Sequence, residues 1–277
     1  MHILIIGCGY VGVRAAQLWR GRGLTVTALT RSDARAAEFF RMGIHAVCGD
    51  VLNLGSLRNL PAADICLYAV GYDRAVAADK EEVYVAGLSN VLNEIGERVP
   101  RLIYLSSSSV YGQDGGEVVN ELSICEPTTK GGRICLAAES VVREFFSSKD
   151  ATILRLSGIY GPGRLIGRKQ QLQSHTPIPG NPQGWLNLIH VADIVQAIDG
   201  LVHTTRAEVL YLLSDGHPMR RIEFYSELAR NWQLPAPVMT ESVSGPLGKR
   251  CDPSRVLNEL QLKLRYPSAV DGLADSI

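Results

Sequence analysis

His2-Ile3-Leu4-Ile5-Ile6-Gly7-Cys8-Gly9-Tyr10-Val11-Gly12 is the stretch whose reading decides the fold. Its first five residues form a short apolar, branched run closed by glycine, which reads as a strand buried on both faces. From Val13 to Arg20 the spacing becomes helical, with Leu18 and Trp19 as apolar anchors. Gly-x-Gly-x-x-Gly between a strand and a helix carries a mechanism. The first glycine permits the tight turn, the second lets the backbone approach a pyrophosphate, and the third lets the helix pack on the sheet. The N–H groups and dipole of the helix start then hold the phosphates. Gly7, Gly9, Tyr10, Val11 and Gly12 are therefore candidate cofactor residues. Three glycines can also make an ordinary turn, and the strand and helix around them argue against that reading.

The next strand, Leu24 to Leu29, alternates and ends at Thr30. An NAD site ordinarily places an acid here to accept from the ribose hydroxyls, roughly 20 residues past the glycines. This chain has Thr30-Arg31-Ser32, with Arg35 one helical turn on. A guanidinium fork and a hydroxyl suit a 2′-phosphate, and no carboxylate repels it. NADP is the favoured cofactor and NAD the alternative. Ser32 also suits a helix cap, and Asp33 fits the first turn of the following helix.

The rhythm then repeats. Ala34 to Met42 reads as helix, Ile44 to Cys48 as strand, Leu54 to Leu60 as a short helix, and Asp64 to Gly71 as the fourth strand and its turn. Asp79 to Val99 reads as one long helix and Arg101 to Leu105 as the fifth strand. Such alternation predicts an α/β fold, a Rossmann-type doubly wound parallel sheet with ligands beyond the carboxyl ends of its strands. Asp50 and Val51 then fall beside the adenine, and Ala69, Val70 and Gly71 beside the glycine loop. Asp50 could instead cap the helix at Leu54. A dinucleotide-binding domain is expected over residues 1–163, with 185–213 returning to it. Residues 164–184 and 214–277 would form a small C-terminal substrate lobe, in which Ile222 to Trp232 reads as helix and Leu165 to Gly184 and Leu234 to Pro253 read as long irregular segments bearing Pro.

The chain has 277 residues, 46% hydrophobic and 20% charged, with zero formal net charge. This balance argues against a nucleic-acid partner, although a local basic patch stays open. No apolar run approaches the roughly 20 residues that span a bilayer, so no membrane partner is expected. A core strand at residue 2 leaves no room for a leader. The six cysteines, Cys8, Cys48, Cys66, Cys125, Cys135 and Cys251, contain no C-x-x-C pair and read as reduced thiols. A cytoplasmic location is the expectation. The partners expected are a small-molecule substrate and, left open, a second copy in a homodimer.

Leu105-Ser106-Ser107-Ser108-Ser109-Val110-Tyr111-Gly112, Leu154 to Gly163 (with Arg155 and Tyr160) and Leu188-Ile189-His190-Val191-Ala192-Asp193 follow in order. Together they resemble the extended short-chain dehydrogenases of the NAD-dependent epimerase/dehydratase family. The resemblance covers roughly residues 1 to 215. The spacing of the glycine loop and the short chain look more like the atypical members.

The resemblance implies a Tyr and a Lys four residues apart on one helix face, with a Ser or Thr from the fifth strand. The lysine lowers the phenol's proton affinity so that it can exchange a proton with a substrate hydroxyl or carbonyl. The hydroxyl maps onto Ser107, with Ser108 as the register alternative. Aligned on Leu136-Ala137-Ala138-Glu139, however, the tyrosine slot is Gly131 and the lysine slot is Cys135. The usual dyad is absent. Tyr111 and Lys130 are the candidate stand-ins beside Ser107, with Arg133 and Tyr160 less favoured. Each also has a structural reading, as a packed tyrosine or a solvated cation.

His190 and Asp193 lack a further His or Cys, so no metal is expected; Asp193 suits a helix start, and His190 packing beneath the substrate loop. Arg164, Arg168 and Lys169 suit an anionic substrate such as a nucleotide sugar, or a solvated face. Two functions follow. One is an NAD(P)-dependent epimerase/dehydratase-like oxidoreductase acting on a hydroxyl or carbonyl of a small, nucleotide-sugar-like substrate. The other is a catalytically inactive NADP-binding sensor or scaffold.

Overall fold

Strand β1 (His2–Ile6) runs through the middle of a seven-stranded sheet in the computed structural model. Residues 1–72, 78–146, 150–204, 207–240 and 245–276 are described. Ile3, Leu4, Ile5 and Ile6 are each fully buried, as a strand covered on both faces requires. β1 pairs in parallel with β2 (Thr25–Thr30) on one side and with β4 (Ile65–Tyr68) on the other. β3 (His45–Cys48) continues outward from β2, and β5 (Leu102–Ser107) from β4. The full order is Leu210–Leu213, Ala151–Leu156, β5, β4, β1, β2, β3. The chain therefore reverses its direction of travel across the sheet at β1 and β4, which opens a crevice at their carboxyl ends.

Two compact units divide the chain: residues 1–107, 128–154 and 198–210 form the first, and residues 108–127, 155–197 and 211–277 the second. In the first, α1 (Tyr10–Gly21), α2 (Asp33–Arg41), α3 (Leu54–Leu57), α4 (Gly87–Ile95) and α5 (Lys130–Phe145) flank the sheet. Leu88, Val91, Leu92 and Ile95 of α4 share a fully buried core with Leu4, Ile6, Leu57 and Ala138. Each buried aliphatic side chain contributes about 1.5–3 kcal/mol relative to exposure.

The helix expected over 79–99 is broken. Glu82–Ala86 is a π-helical turn, α4 begins at Gly87, and a 3₁₀ turn, Gly96–Arg98, ends the segment. A Cβ at Gly87 would stand 2.7 Å from Val51 Cγ2, so the helix comes closer to that loop than any larger residue allows. Single π turns of this kind are rare and frequent at functional sites.

The second unit contains short pairings. Gly115–Val119 runs parallel to Gly248–Cys251, Gly158–Tyr160 parallel to Leu188–His190, and Trp185–Leu186 antiparallel to Met219–Arg220. Its core joins Tyr160, Leu172, Ile178, Phe224, Leu228 and Leu273. The stretch 164–184, read as irregular, holds a helix, Ile166–Gln173. Of the Leu234–Pro253 segment, 241–244 lie outside the described residues. Among the described residues no helix is long and apolar enough to cross a membrane.

Candidate functional site

The glycine loop is built for close approach. Gly7 has φ +88°, and a Cβ there would stand 2.5 Å from the Val70 nitrogen, inside the backbone that follows β4. A Cβ at Gly12 would stand 2.7 Å from the Gly7 carbonyl oxygen. Gly9 is different: a Cβ built there meets nothing within 4 Å. Two glycines are thus forced by packing, and the one between them faces open space. Gly9 is also the N-cap of α1, whose first turn has neither a side-chain cap nor an acid. The first N–H groups of a helix have no intrahelical acceptor and favour an anion. Ala69, Val70 and Gly71 line the other side of the loop through the contact with Gly7. A pyrophosphate fits this cradle on both counts. Tyr10 and Val11 supply the first turn, where Arg14 donates to the Tyr10 carbonyl at 2.7 Å and stacks over its ring.

At the tip of β2 the sequence candidates separate. Arg31 and Ser32 are exposed. Ser32 caps α2, its Oγ accepting from the Arg35 N–H at 3.3 Å, and Thr30 Oγ1 accepts from the Ser32 N–H at 3.3 Å. The Arg35 side chain turns along its own helix, paired with Glu38 and stacked over Phe39 at 4.9 Å. Asp33 sits in the first turn of α2, as its sequence position suggested, and accepts from the Cys48 thiol. Asp50 folds locally, its Oδ1 accepting from the Leu52 N–H at 2.9 Å. It does not cap α3; Asn53 does. The Val51 carbonyl accepts from Asn90 Nδ2 at 3.0 Å.

The model of the NAD dependent epimerase/dehydratase family matches residues 3–210. The chain belongs to that family. It is 30% identical over 276 residues to protein YeeZ of Escherichia coli K12, covering 96% of each chain. It is 26% identical to a UDP-glucose 4-epimerase of Vibrio cholerae, over 95% of this chain and 88% of that one. The UDP-glucose 4-epimerase of Bifidobacterium longum, solved with NAD+ and UDP, superposes with a TM-score of 0.83 at 18% identity, over 100% of this chain and 97% of that chain, and so shares the fold. The family to which this chain belongs is named for its dependence on NAD.

At the reaction end of this family member, Ser107 closes β5 and is half-buried. Its neighbour Ser106 points the other way, its Oγ donating to the buried Glu139 carboxylate at 2.6 Å, which Arg143 holds at 2.9 Å. Alternation along the strand therefore leaves Ser107 for the ligand side. α5 starts at Lys130, capped by Thr129 Oγ1, which accepts from the Gly132 N–H at 3.0 Å. Lys130 itself is exposed and paired with Asp79 at 3.4 Å.

Sequence reasoning passed over Lys80 and Tyr84. A Cβ at Gly131 would stand 3.2 Å from the Lys80 Nζ, and that ammonium lies 4.9 Å over the Tyr84 ring. Tyr84 Oη accepts from the Tyr72 N–H at 3.1 Å, directly after the Ala69-Val70-Gly71 wall of the cradle. Burial pushes the Tyr84 phenol up, the Tyr72 N–H offsets part of this, and the nearby Cys135 thiol adds to the rise. The available signal was their four-residue spacing at the head of a helix.

Tyr111 belongs to the second unit and is 2% exposed. Its Oη accepts from Arg155 Nη1 at 2.9 Å, and the guanidinium lies 4.9 Å over its ring. Burial outweighs that cation and pushes the phenol up to about 12. Lys249 donates to the Tyr111 carbonyl at 3.0 Å. Tyr111 and Lys130, weighed together from sequence, thus sit in separate units with separate partners. Tyr160 is fully buried and donates to the Ser268 carbonyl at 3.2 Å. The Asp193 carboxylate stands in the first turn of the helix Val191–His203, as its position suggested, and accepts the N–H groups of Arg265 and Tyr266 at 2.6 and 3.1 Å. His190 packs edge-on against Tyr160. Arg168 bonds Gln171 and stacks on Tyr225, and Lys169 stacks on Trp232.

Proposed function

We propose that this chain is an NADP-preferring oxidoreductase acting at a hydroxyl or carbonyl carbon of a small, sugar-like substrate, with nucleotide sugars as the class to test first. The observation that carries the reading is an open pyrophosphate cradle at Gly9 combined with a β2 tip that offers Arg31 and Ser32 in place of a carboxylate. A guanidinium and a hydroxyl recognise a 2′-phosphate, which a carboxylate repels. The substrate class is suggested by the relative from Vibrio cholerae, a UDP-glucose 4-epimerase.

When bound, a nicotinamide dinucleotide supplies or accepts a hydride. The chain's residues do the remaining work. Gly7, Gly9 and Gly12 with the first turn of α1 hold the phosphates, Arg31 and Ser32 hold the adenosine end, and Asp50 and Val51 flank the base. Ser107 orients the substrate oxygen by hydrogen bonding at the end of β5. Tyr111 is not assigned the proton transfer, because its phenol is buried among the partners of its own unit; Lys130 is not assigned it, because it is exposed and faces Asp79. An inactive NADP-binding sensor is the second reading, favoured by the glycine and cysteine in the two dyad slots.

Titration of the protein with NADPH and NADH, following nicotinamide fluorescence, tests the cofactor. NADPH should bind about tenfold tighter, a difference of about 1.4 kcal/mol, and Arg31→Ala should erase most of that preference. Equal affinities in the parent would remove the NADP assignment. NADPH binding without turnover across a panel of nucleotide sugars, ketones and aldehydes would favour the sensor.

A further inference from the structure

Lys80 and Tyr84 are a cation and a phenol held together in the first unit, the ammonium 4.9 Å over the ring. They are four apart, spanning the entry to the π-helical turn, and both are half-buried. The Lys80 ammonium has no hydrogen bond or ion pair with any described residue, and its one contact is the face of the Tyr84 ring. Tyr84 Oη accepts the Tyr72 N–H, and its own proton has no acceptor among the described residues. Both residues are half-buried, and neither atom is among the fully buried polar atoms that lack a partner, so both stay open to a further partner.

Their placement says what that partner is. Tyr72 follows the segment that abuts Gly7, so the Tyr84 hydroxyl is tied to the wall of the pyrophosphate cradle. Beneath it, Tyr84 shares its electrostatic surroundings with Tyr104 of β5 and Cys135 of α5, and Tyr104 lies three residues before Ser107. Above, Lys80 Nζ occupies the space that a side chain at Gly131 would enter. The missing side chains of the Gly131-Gly132 pair are what admit it. A phenol, a cation, a strand-end serine and a dinucleotide cradle are thus gathered in one unit.

We propose that Tyr84 is the proton-transfer residue of this site and Lys80 its positioning cation, a pair supplied by the helix after β4 in place of the emptied α5 slots. This rests on the oxidoreductase reading above. In the reducing direction the carbonyl carbon takes a hydride from the reduced nicotinamide dinucleotide. The C=O π pair moves to oxygen, and that oxygen takes the Tyr84 proton, giving the alcohol and a tyrosinate that solvent reprotonates. Oxidation of the alcohol is the reverse. Burial raises the phenol, which suits a proton donor, and an ammonium 4.9 Å over the ring is placed to favour the tyrosinate as it forms.

The deciding measurement needs neither substrate nor cofactor. NMR of isotope-labelled tyrosine Cζ follows the Tyr84 phenol through its titration, the resonance being identified by its loss in Tyr84→Phe. Lys80→Met should raise the proton affinity of Tyr84 about tenfold, and Lys80→Arg should restore it. An unmoved midpoint in Lys80→Met overturns the pair. In parallel, on any carbonyl that the parent reduces with NADPH, kcat of Tyr84→Phe should fall by about 10² to 10⁴ with little change in KM. Lys80→Met should lose kcat and shift the pH profile, and Lys80→Arg should recover both. A parental kcat in folded Tyr84→Phe overturns the assignment. NADPH titration of the same proteins separates the two levels of the argument. Tight NADPH binding with an unmoved Tyr84 midpoint overturns only the pair, whereas a parent that binds no dinucleotide overturns the oxidoreductase reading and the pair's role with it.

Discussion

Tyr111 and Tyr84 are both tyrosines beside a cation, and their surroundings are opposite. Tyr111 stands in the core of the second unit at 2% exposure, with an equally buried Arg155 bonded to its hydroxyl and stacked on its ring. Tyr84 is half-buried in the first unit, touched by one backbone N–H and by an ammonium that is itself only half-buried. Position in a motif pointed to Tyr111; access and unmet hydrogen-bonding capacity point to Tyr84. A side chain that serves the fold is closed off by its partners. One that meets a ligand must keep an approach and a bond in reserve. Glycines show the same contrast: Gly7 and Gly12 are pressed against backbone, and Gly9 looks into open space.

The largest effect expected from this contrast is at Gly9. Gly9→Val should keep the far-ultraviolet circular dichroism of the parent, because a side chain there meets nothing within 4 Å. It should weaken NADPH binding roughly a hundredfold or more, about 2.7 kcal/mol, by filling the space that the phosphates need. Parental affinity in a folded variant would mean that the open side of the loop is not the ligand side.

Tyr111→Phe probes the buried tyrosine. It removes the acceptor of a buried guanidinium N–H and should lower stability by about 1–3 kcal/mol in urea denaturation. Affinity for NADPH should not change. Loss of turnover at full stability would break the comparison and return the proton-transfer role to Tyr111.

Asp215 gives the most local effect, confined to one carboxyl and one stretch of pH. It is 2% exposed, and its Oδ1 accepts from the His217 N–H at 2.9 Å. Burial raises its pKa to about 7; the His217 N–H and charge oppose the rise, and Asp193 adds to it. A carboxyl whose folded value lies above its unfolded value favours folding while protonated. Its contribution is whole below about pH 4 and drains away as pH rises toward 7, with a slope approaching about 1.4 kcal/mol per pH unit. Asp215→Asn should flatten that stretch of the stability curve. An unchanged slope would show that the carboxylate ionises freely in the folded protein.

The sequence determined the frame of this protein. Its strand–glycine–helix opening, the alternation that follows, and the missing acid after Thr30 are local patterns, and local patterns survive translation into structure because backbone sterics and burial enforce them residue by residue. Ser107 was read as a strand-end residue, and it closes β5 beside Ser106, which faces Glu139. The glycine and cysteine at the aligned dyad slots, Gly131 and Cys135, are read from the sequence alone, and the Lys80–Tyr84 pair proposed in their place is not. Lys80 and Gly131 are remote in sequence and meet only because the chain turns back after β5, and the π-helical turn at Glu82–Ala86 lies inside what the sequence reads as one regular helix. Whether a tyrosine is closed in, as Tyr111 is, or left half-open, as Tyr84 is, depends on burial and on partners distant along the chain. Those are properties of the packed fold, and no periodicity or motif encodes them.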